Sequence, residues 1–146
     1  IQSGKLIGQR IPDYEFADID GNNRKLSDYI GKTTLLFVDI WASWCSPCRA
    51  DIPNVKKTYE KYKDKGLTVL SISIDADKNS WKNALQKENM PWEQLVLKNG
   101  NEKDTLYKKY YLNGVPSTFL INKDGYILLI NFQGDSLEKW LDSRFN

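Results

Sequence analysis

Trp44-Cys45-Ser46-Pro47-Cys48 is the stretch that decides how this chain is read. It holds the only two cysteines of the 146 residues, with two residues between them. That spacing is one helical turn, so both sulfurs can lie at the start of one helix within reach of each other. The run before it, from Thr34 to Trp41, is β-branched and apolar and predicts a buried strand over Thr34 to Ile40. The run after it, Arg49 to Lys65, predicts an amphipathic helix with Cys48, Ile52, Val55, Tyr59 and Tyr62 on one face. The cysteines therefore sit where a strand hands over to a helix. Unpaired N–H groups and the partial positive charge of a helix N-terminus both favour a thiolate, the reactive form of cysteine. Cys45 precedes the helix and is expected to be the exposed, attacking sulfur; Cys48, inside the first turn, is expected to be covered. Pro47 suits a first-turn position, where its missing N–H has no intrahelical partner. A zinc site competes poorly, since the chain has no histidine and no further cysteine. A purely structural disulfide would close a very small loop and gain little.

Working outward, Pro53 falls inside the helix and is expected to kink it. Gly66 ends it, and Leu67 to Ile74 predicts a second buried strand. Strand, helix and strand at this spacing argue for a parallel βαβ unit. Before the unit, Tyr14 to Ile19 alternates as a half-buried strand does. Asp20-Gly21-Asn22-Asn23 is a turn, and Arg24 to Leu26 returns as a hairpin. Ser27 is expected to cap a short turn ended by Gly31. After the unit, Asp75 to Asn79 reads as a polar loop. Ser80 is expected to cap a helix to Asn89 with Trp81, Ala84 and Leu85 inward, and Gln94 to Leu97 is a short strand. A turn at 98–101 and a short helix at 104–110 follow. Ser117 to Ile121 and Tyr126 to Phe132 form a hairpin around Asn122 to Gly125, with Gly134 closing its second strand. A final helix from Ser136 buries Leu137, Trp140 and Leu141.

Composition bounds the function. A net charge of +2, from 21 basic and 19 acidic residues, is too balanced to argue for nucleic acid or a membrane surface. Lys56, Lys57, Lys61, Lys63 and Lys65, mixed with Glu60 and Asp64, read as a solvated helix face. Without histidine, proton transfer falls to carboxylates, thiols, tyrosines, lysines or water. No apolar run is long enough to span a bilayer. The length suits one domain over 1–146, with residues 1–10 a flexible N-terminal segment. An acid at Asp39, six residues before Cys45 and amid Phe37, Val38, Ile40 and Trp41, is costly to bury and should titrate high.

The segment Val38 to Cys48, the proline at Pro53 and the segment Gly114-Val115-Pro116-Ser117-Thr118-Phe119 together resemble the thioredoxin superfamily. The N-terminal hairpin and the added strand and helix resemble its TlpA/ResA-like branch. The resemblance runs from Ile11 to Leu141 and implies a thioredoxin-like α/β fold: a central mixed β-sheet flanked by helices, with an N-terminal β-hairpin and an inserted strand–helix. It implies a thiol–disulfide oxidoreductase with no cofactor, acting on disulfide-bearing protein substrates and recharged by an upstream thiol reductant. The chain is read as a monomer that binds no nucleic acid. It is expected outside the cytoplasm or in the periplasm, with a signal peptide, lipid or membrane anchor beyond the given sequence. The resemblance makes Cys45 the nucleophile, Cys48 the resolving thiol and Asp39 a proton acceptor for Cys48. Pro116 is then a cis-proline that presents Val115 to an extended substrate segment, while Trp44, Ser46 and Pro47 border the site. Many thioredoxins carry a lysine facing the acid, where this chain has Ser71; many TlpA-like proteins carry an uncharged residue in place of Asp39. Two other functions are open to a chain of this pattern. One is a peroxiredoxin-like thiol peroxidase, against which Ala42 stands where those enzymes favour threonine. The other is a non-catalytic peptide-binding module using the same groove.

Overall fold

The computed structural model describes residues 6–98 and 114–145. The elements in chain order are β1 (Glu15–Ala17), β2 (Asn23–Lys25), β3 (Leu35–Trp41), α1 (Ser46–Tyr62), β4 (Leu67–Ser73), α2 (Lys78–Glu88), β5 (Glu93–Val96), β6 (Ser117–Asn122), β7 (Ile127–Ile130) and α3 (Gly134–Phe145). Among the described residues seven strands form one mixed sheet in the order β2-β1-β5-β4-β3-β6-β7. β3 lies parallel to β4, with Leu35 opposite Leu67 and Trp41 opposite Ser73. It lies antiparallel to β6, with Leu35 opposite Asn122 and Ile40 opposite Ser117. All seven residues of β3 are buried, which suits an apolar strand with a neighbour on each edge.

Alternation along β3 divides the core into two layers. Leu36, Val38 and Ile40 pack with Trp81 and Ala84 of α2 and with Phe16 and Leu26 from the hairpin region. Leu35 and Phe37 face the other way, onto Val55 and Tyr62 of α1 and Leu137 and Leu141 of α3. Asp39 shares the parity of Leu35 and Phe37, which places it on the α1 side.

Several local expectations are corrected. α1 begins at Ser46 and ends at Tyr62, earlier at both ends than the run Arg49 to Lys65, with Pro53 inside it. The cap of α2 is Asp77, whose carboxylate accepts from the Asn79 N–H at 2.9 Å and the Ser80 hydroxyl at 3.0 Å; Ser80 lies inside the helix. Asp outcompetes Ser here because its two oxygens take both donors. Ser27 caps nothing. Its N–H and hydroxyl both donate to Asp13, while Asp28 accepts from the Lys25 N–H at 2.8 Å. Gly134 does not close β7 but opens α3. Its N–H donates to Asp51 Oδ2 at 2.9 Å, so a carboxylate from α1 serves the first turn of α3. Residues 6–10 are held rather than flexible. Leu6 is buried, the Gly8 N–H donates to the Ile127 carbonyl at 2.7 Å, and Arg10 forms a β-bridge with Tyr126. This strap covers part of the free edge of β7, which would otherwise present unpaired N–H and C=O groups. The expected turn at 98–101 runs into residues outside the described set, and the expected helix at 104–110 lies wholly outside it.

The α1–α3 crossing is tight at Gly134. A Cβ there would stand 3.0 Å from Asn54 Cβ and 3.0 Å from the Val55 backbone nitrogen. Gly134→Ala should therefore lower the unfolding free energy by about 1–3 kcal/mol despite alanine's better helix propensity. Urea titration checks this; an unchanged or raised midpoint would mean that the two helices separate freely.

Candidate active site

The site stands at the carboxyl ends of β3 and β4 and the amino end of β6, which the register brings to one edge of the sheet. After Trp41 the chain makes a turn in which the Cys45 N–H donates to the Ala42 carbonyl at 3.1 Å. Cys45 is then the N-cap of α1, with extended backbone at φ −94° and ψ 101°. Its Sγ accepts from the Cys48 N–H at 3.2 Å. Ser46 and Pro47 occupy the first two helical positions, so the proline lies where no hydrogen bond is lost. Cys45 and Cys48 are joined as a disulfide with their Cα atoms 5.3 Å apart.

Exposure does not separate the two sulfurs as expected. Cys45 is 4% exposed and Cys48 3%. What separates them is position: Cys45 holds the capping place and receives an amide N–H, whereas Cys48 lies inside the first turn. The exposed group beside the disulfide is Trp44, at 67%. Trp41 is core and Trp44 is rim.

On the facing loop the Val115–Pro116 peptide bond is cis. Val115 packs, partly buried, on the same cluster that contains Cys45 and Cys48. The Ser117 hydroxyl donates to the Gly114 carbonyl at 2.6 Å and fixes the loop from within. Pro47 and Pro116 both line one pocket of ≈ 130 Å³, together with Asp51, Thr118, Asn131 and Phe132. Of the sequence-predicted residues, Ser46 and Pro47 lie between the cysteines, Pro116 shares a pocket with Pro47, and Val115 packs on the core cluster that includes both cysteines.

Asp39 lies opposite Ser71 on β4 and Thr118 on β6. It is buried, and its carboxyl is pushed up to about 7; loss of solvation is the chief cause, the nearby Asp51 carboxylate adds to it, and Ser71 opposes it through a hydrogen bond. The Ser71 hydroxyl oxygen is itself held by the Trp92 indole N–H at 2.8 Å. Two acids that sequence reasoning passed over also belong here. Asp51 repels charge on Asp39 and ties α1 to α3. Asp75, assigned to a polar loop, is 4% exposed and receives hydrogen bonds from Ser43 in the turn before Cys45.

The fold and its cysteine pair define a thioredoxin-like redox protein. The chain belongs to the AhpC/TSA family, whose model matches residues 7–130, and it stands with the ResA-like thiol–disulfide oxidoreductases. It is 30% identical over 122 residues to the thiol-disulfide oxidoreductase ResA of Bacillus thuringiensis subsp. konkukian, covering 84% of this chain and 67% of that one. It is 27% identical over 140 residues to ResA of Geobacillus kaustophilus, covering 94% and 77%. The thioredoxin domain of a thiol-disulfide oxidoreductase from Bacteroides vulgatus superposes with a TM-score of 0.86 at 30% identity, over 96% of this chain and 98% of that one. A thiol:disulfide interchange protein from Bacteroides sp. superposes with a TM-score of 0.83 at 30% identity, over 94% and 88%.

The raised Asp39 carboxyl has a consequence for stability. The folded state binds a proton that the unfolded chain releases near pH 4, so the contribution of this group to stability is fully present below that pH and is lost as pH rises through about 7. Asp39→Asn should therefore stabilise the protein at pH 8, by about 4 kcal/mol at most, and the gain should vanish toward pH 4. Urea unfolding of both proteins across that range checks the sign; a gain independent of pH would show that Asp39 does not titrate high.

Proposed function

We propose that this protein reduces disulfides in partner proteins by two successive thiol–disulfide exchanges at Cys45 and Cys48. The observation that carries the reading is the Cys45 sulfur at the N-cap of α1, accepting an amide N–H, with Cys48 one turn along. In the reduced protein Cys45 attacks as a thiolate. A bond forms between its sulfur and one substrate sulfur, the substrate disulfide breaks, and the other substrate sulfur leaves as a thiolate that takes up a proton. Cys48 then attacks the Cys45 sulfur. The Cys45–Cys48 disulfide forms, the mixed disulfide breaks, and the second substrate sulfur leaves. The substrate gains two electrons and the protein loses two. The described structure corresponds to that oxidised product, and an upstream thiol reductant must return the electrons.

Asp39 is the base for the second step. A carboxyl poised at about 7 can accept a proton from the Cys48 thiol near neutral pH, directly or through water. Trp44 supplies an apolar rim. Val115, next to the cis bond, offers backbone groups on which an extended substrate segment can pair as a short strand. Ser46 and Pro47 set the local hydrogen bonding between the sulfurs. The described residues form one sheet covered on both faces, which supports a single thioredoxin-like domain. On the TlpA/ResA resemblance we place the reaction outside the cytoplasm, with a membrane anchor beyond the given sequence and the domain acting as a monomer.

Cys48→Ser should stop the sequence at the mixed disulfide, and mass spectrometry of captured complexes should find the substrate on Cys45. Capture through Cys48 in the reciprocal variant alone would reverse the two roles. Reduction of insulin disulfides by the reduced protein, without consumption of hydrogen peroxide, separates the reading from a thiol peroxidase. Inertness in both assays would leave only peptide binding. Asp39→Asn should slow release of substrate from the mixed disulfide by about 100-fold at pH 8. It should also abolish the fall in that rate below pH 7; a profile unchanged from pH 6 to 9 would remove Asp39 from proton transfer.

A further inference from the structure

Ser43 lies between the end of β3 and the reactive cysteine, and each of its three polar groups meets a charged side chain from another element. Its N–H donates to Asp75 Oδ2 at 3.0 Å and its hydroxyl to Asp75 Oδ1 at 2.7 Å. Its carbonyl accepts from Arg49 Nη1 at 3.1 Å. Neither charged partner is loose. Asp75 follows directly on Ile74, whose N–H extends the β3–β4 ladder by donating to the Trp41 carbonyl at 2.9 Å. The Asp75 carboxylate also accepts from the Ser73 hydroxyl, whose oxygen in turn receives the Asp75 N–H at 2.9 Å. Arg49 is anchored on Glu88 at the end of α2 at 2.6 Å.

A neutral side chain could have closed this turn at lower cost than a buried carboxylate. The carboxylate does something a neutral group does less well. It can only accept, so it dictates the direction of both Ser43 donors, and its bonds are about twice as strong as neutral ones. The Ala42–Cys45 turn is thereby held at its second residue from β4 on one side and from α1 and α2 on the other. That turn sets where Cys45 Sγ points and where Trp44 projects.

We propose that Asp75 is a positioning residue for thiol–disulfide exchange: through Ser43 it fixes the turn that aims the Cys45 sulfur at the substrate disulfide. The inference rests on Cys45 being the attacking sulfur. Misplacing a reacting atom by about 1 Å can cost on the order of 100-fold in rate, so a clamp two residues from the sulfur should be visible in the kinetics.

The test is the rate of reaction of the reduced protein with oxidised glutathione, measured from pH 6 to 10.5. The wild type is compared with Asp75→Asn, Ser43→Ala and the double variant. Above the thiol's midpoint the rate reaches a plateau that reports geometry, no longer the fraction of thiolate. The plateau should fall about 10-fold in each single variant, and the double variant should be no worse than the poorer single, because both remove one clamp. If Asp75→Asn does not fold, Ser43→Ala, which leaves the Asp75–Ser73 bonds in place, carries the comparison alone. A shifted midpoint with an unchanged plateau would mean that Asp75 acts only by its charge, and overturns the proposal. So does a lower melting temperature with an unchanged pH–rate profile, which would make it a brace of the fold. A wild type that does not react at all overturns the exchange reading itself, and this inference with it; a reactive wild type with unaffected variants overturns this inference alone.

Discussion

An amide N–H pointing at a sulfur is the interaction on which this structure turns. Cys45 caps α1 with its side chain, and the Cys48 N–H is the donor it receives. The same geometry does two jobs. It gives the helix a partner for one of its unpaired N–H groups, and it puts the sulfur where negative charge is welcome. Because the donor belongs to the second cysteine, the contact that would favour a thiolate at Cys45 also ties that sulfur to the residue that, on the proposed roles, completes the exchange.

The remainder of the fold holds that contact in place. β3 is paired on both edges and buried throughout, so the point at which the chain leaves the sheet for the helix does not wander. The antiparallel β6 brings its amino end, and with it Pro116, to the edge where β3 ends. Asp51 joins α1 to the first turn of α3, and Arg49 and Lys56 join α1 to the end of α2, the latter through the Glu88 carbonyl at 2.5 Å. The helix that carries the cysteines is thus fastened to its neighbours on both sides by side chains within its first three turns. A rigid scaffold under a small reactive turn is the arrangement expected when orientation governs the rate.

What could be read from the sequence follows the reach of each interaction. The cysteine pair, the buried strand before it, the βαβ unit and the loop at Pro116 are encoded within a few residues, in spacing and apolar pattern. Asp39 was visible because an acid inside an apolar strand is conspicuous. The changed roles of Ser27, Ser80 and Gly134 were not visible, because each depends on which carboxylate, Asp13, Asp77 or Asp51, comes within reach of it in the fold. Asp77 lies three residues from Ser80, and Asp51 reaches Gly134 across 83 positions. Asp75 was hidden for the same reason, its partner Ser43 being 32 residues away. Its place at the carboxyl end of a core strand, two residues after a buried serine, was the available signal, since sites in open α/β sheets gather at those ends. The burial of Cys45 was hidden too, because it depends on the core cluster into which the sulfur is packed, which the chain assembles from residues far apart in sequence.

The proposed exchange depends on whether the cap activates the sulfur. In the reduced protein the thiolate of Cys45 can be followed directly by its absorbance near 240 nm during a pH titration, with Cys48 replaced by alanine to leave one titrating thiol. The structure predicts a midpoint at least one pH unit below the free-cysteine value of about 8.5. A midpoint at or above 8.5 would mean that the amide and the helix do not stabilise the charge, and the proposed chemistry would have no source of reactivity.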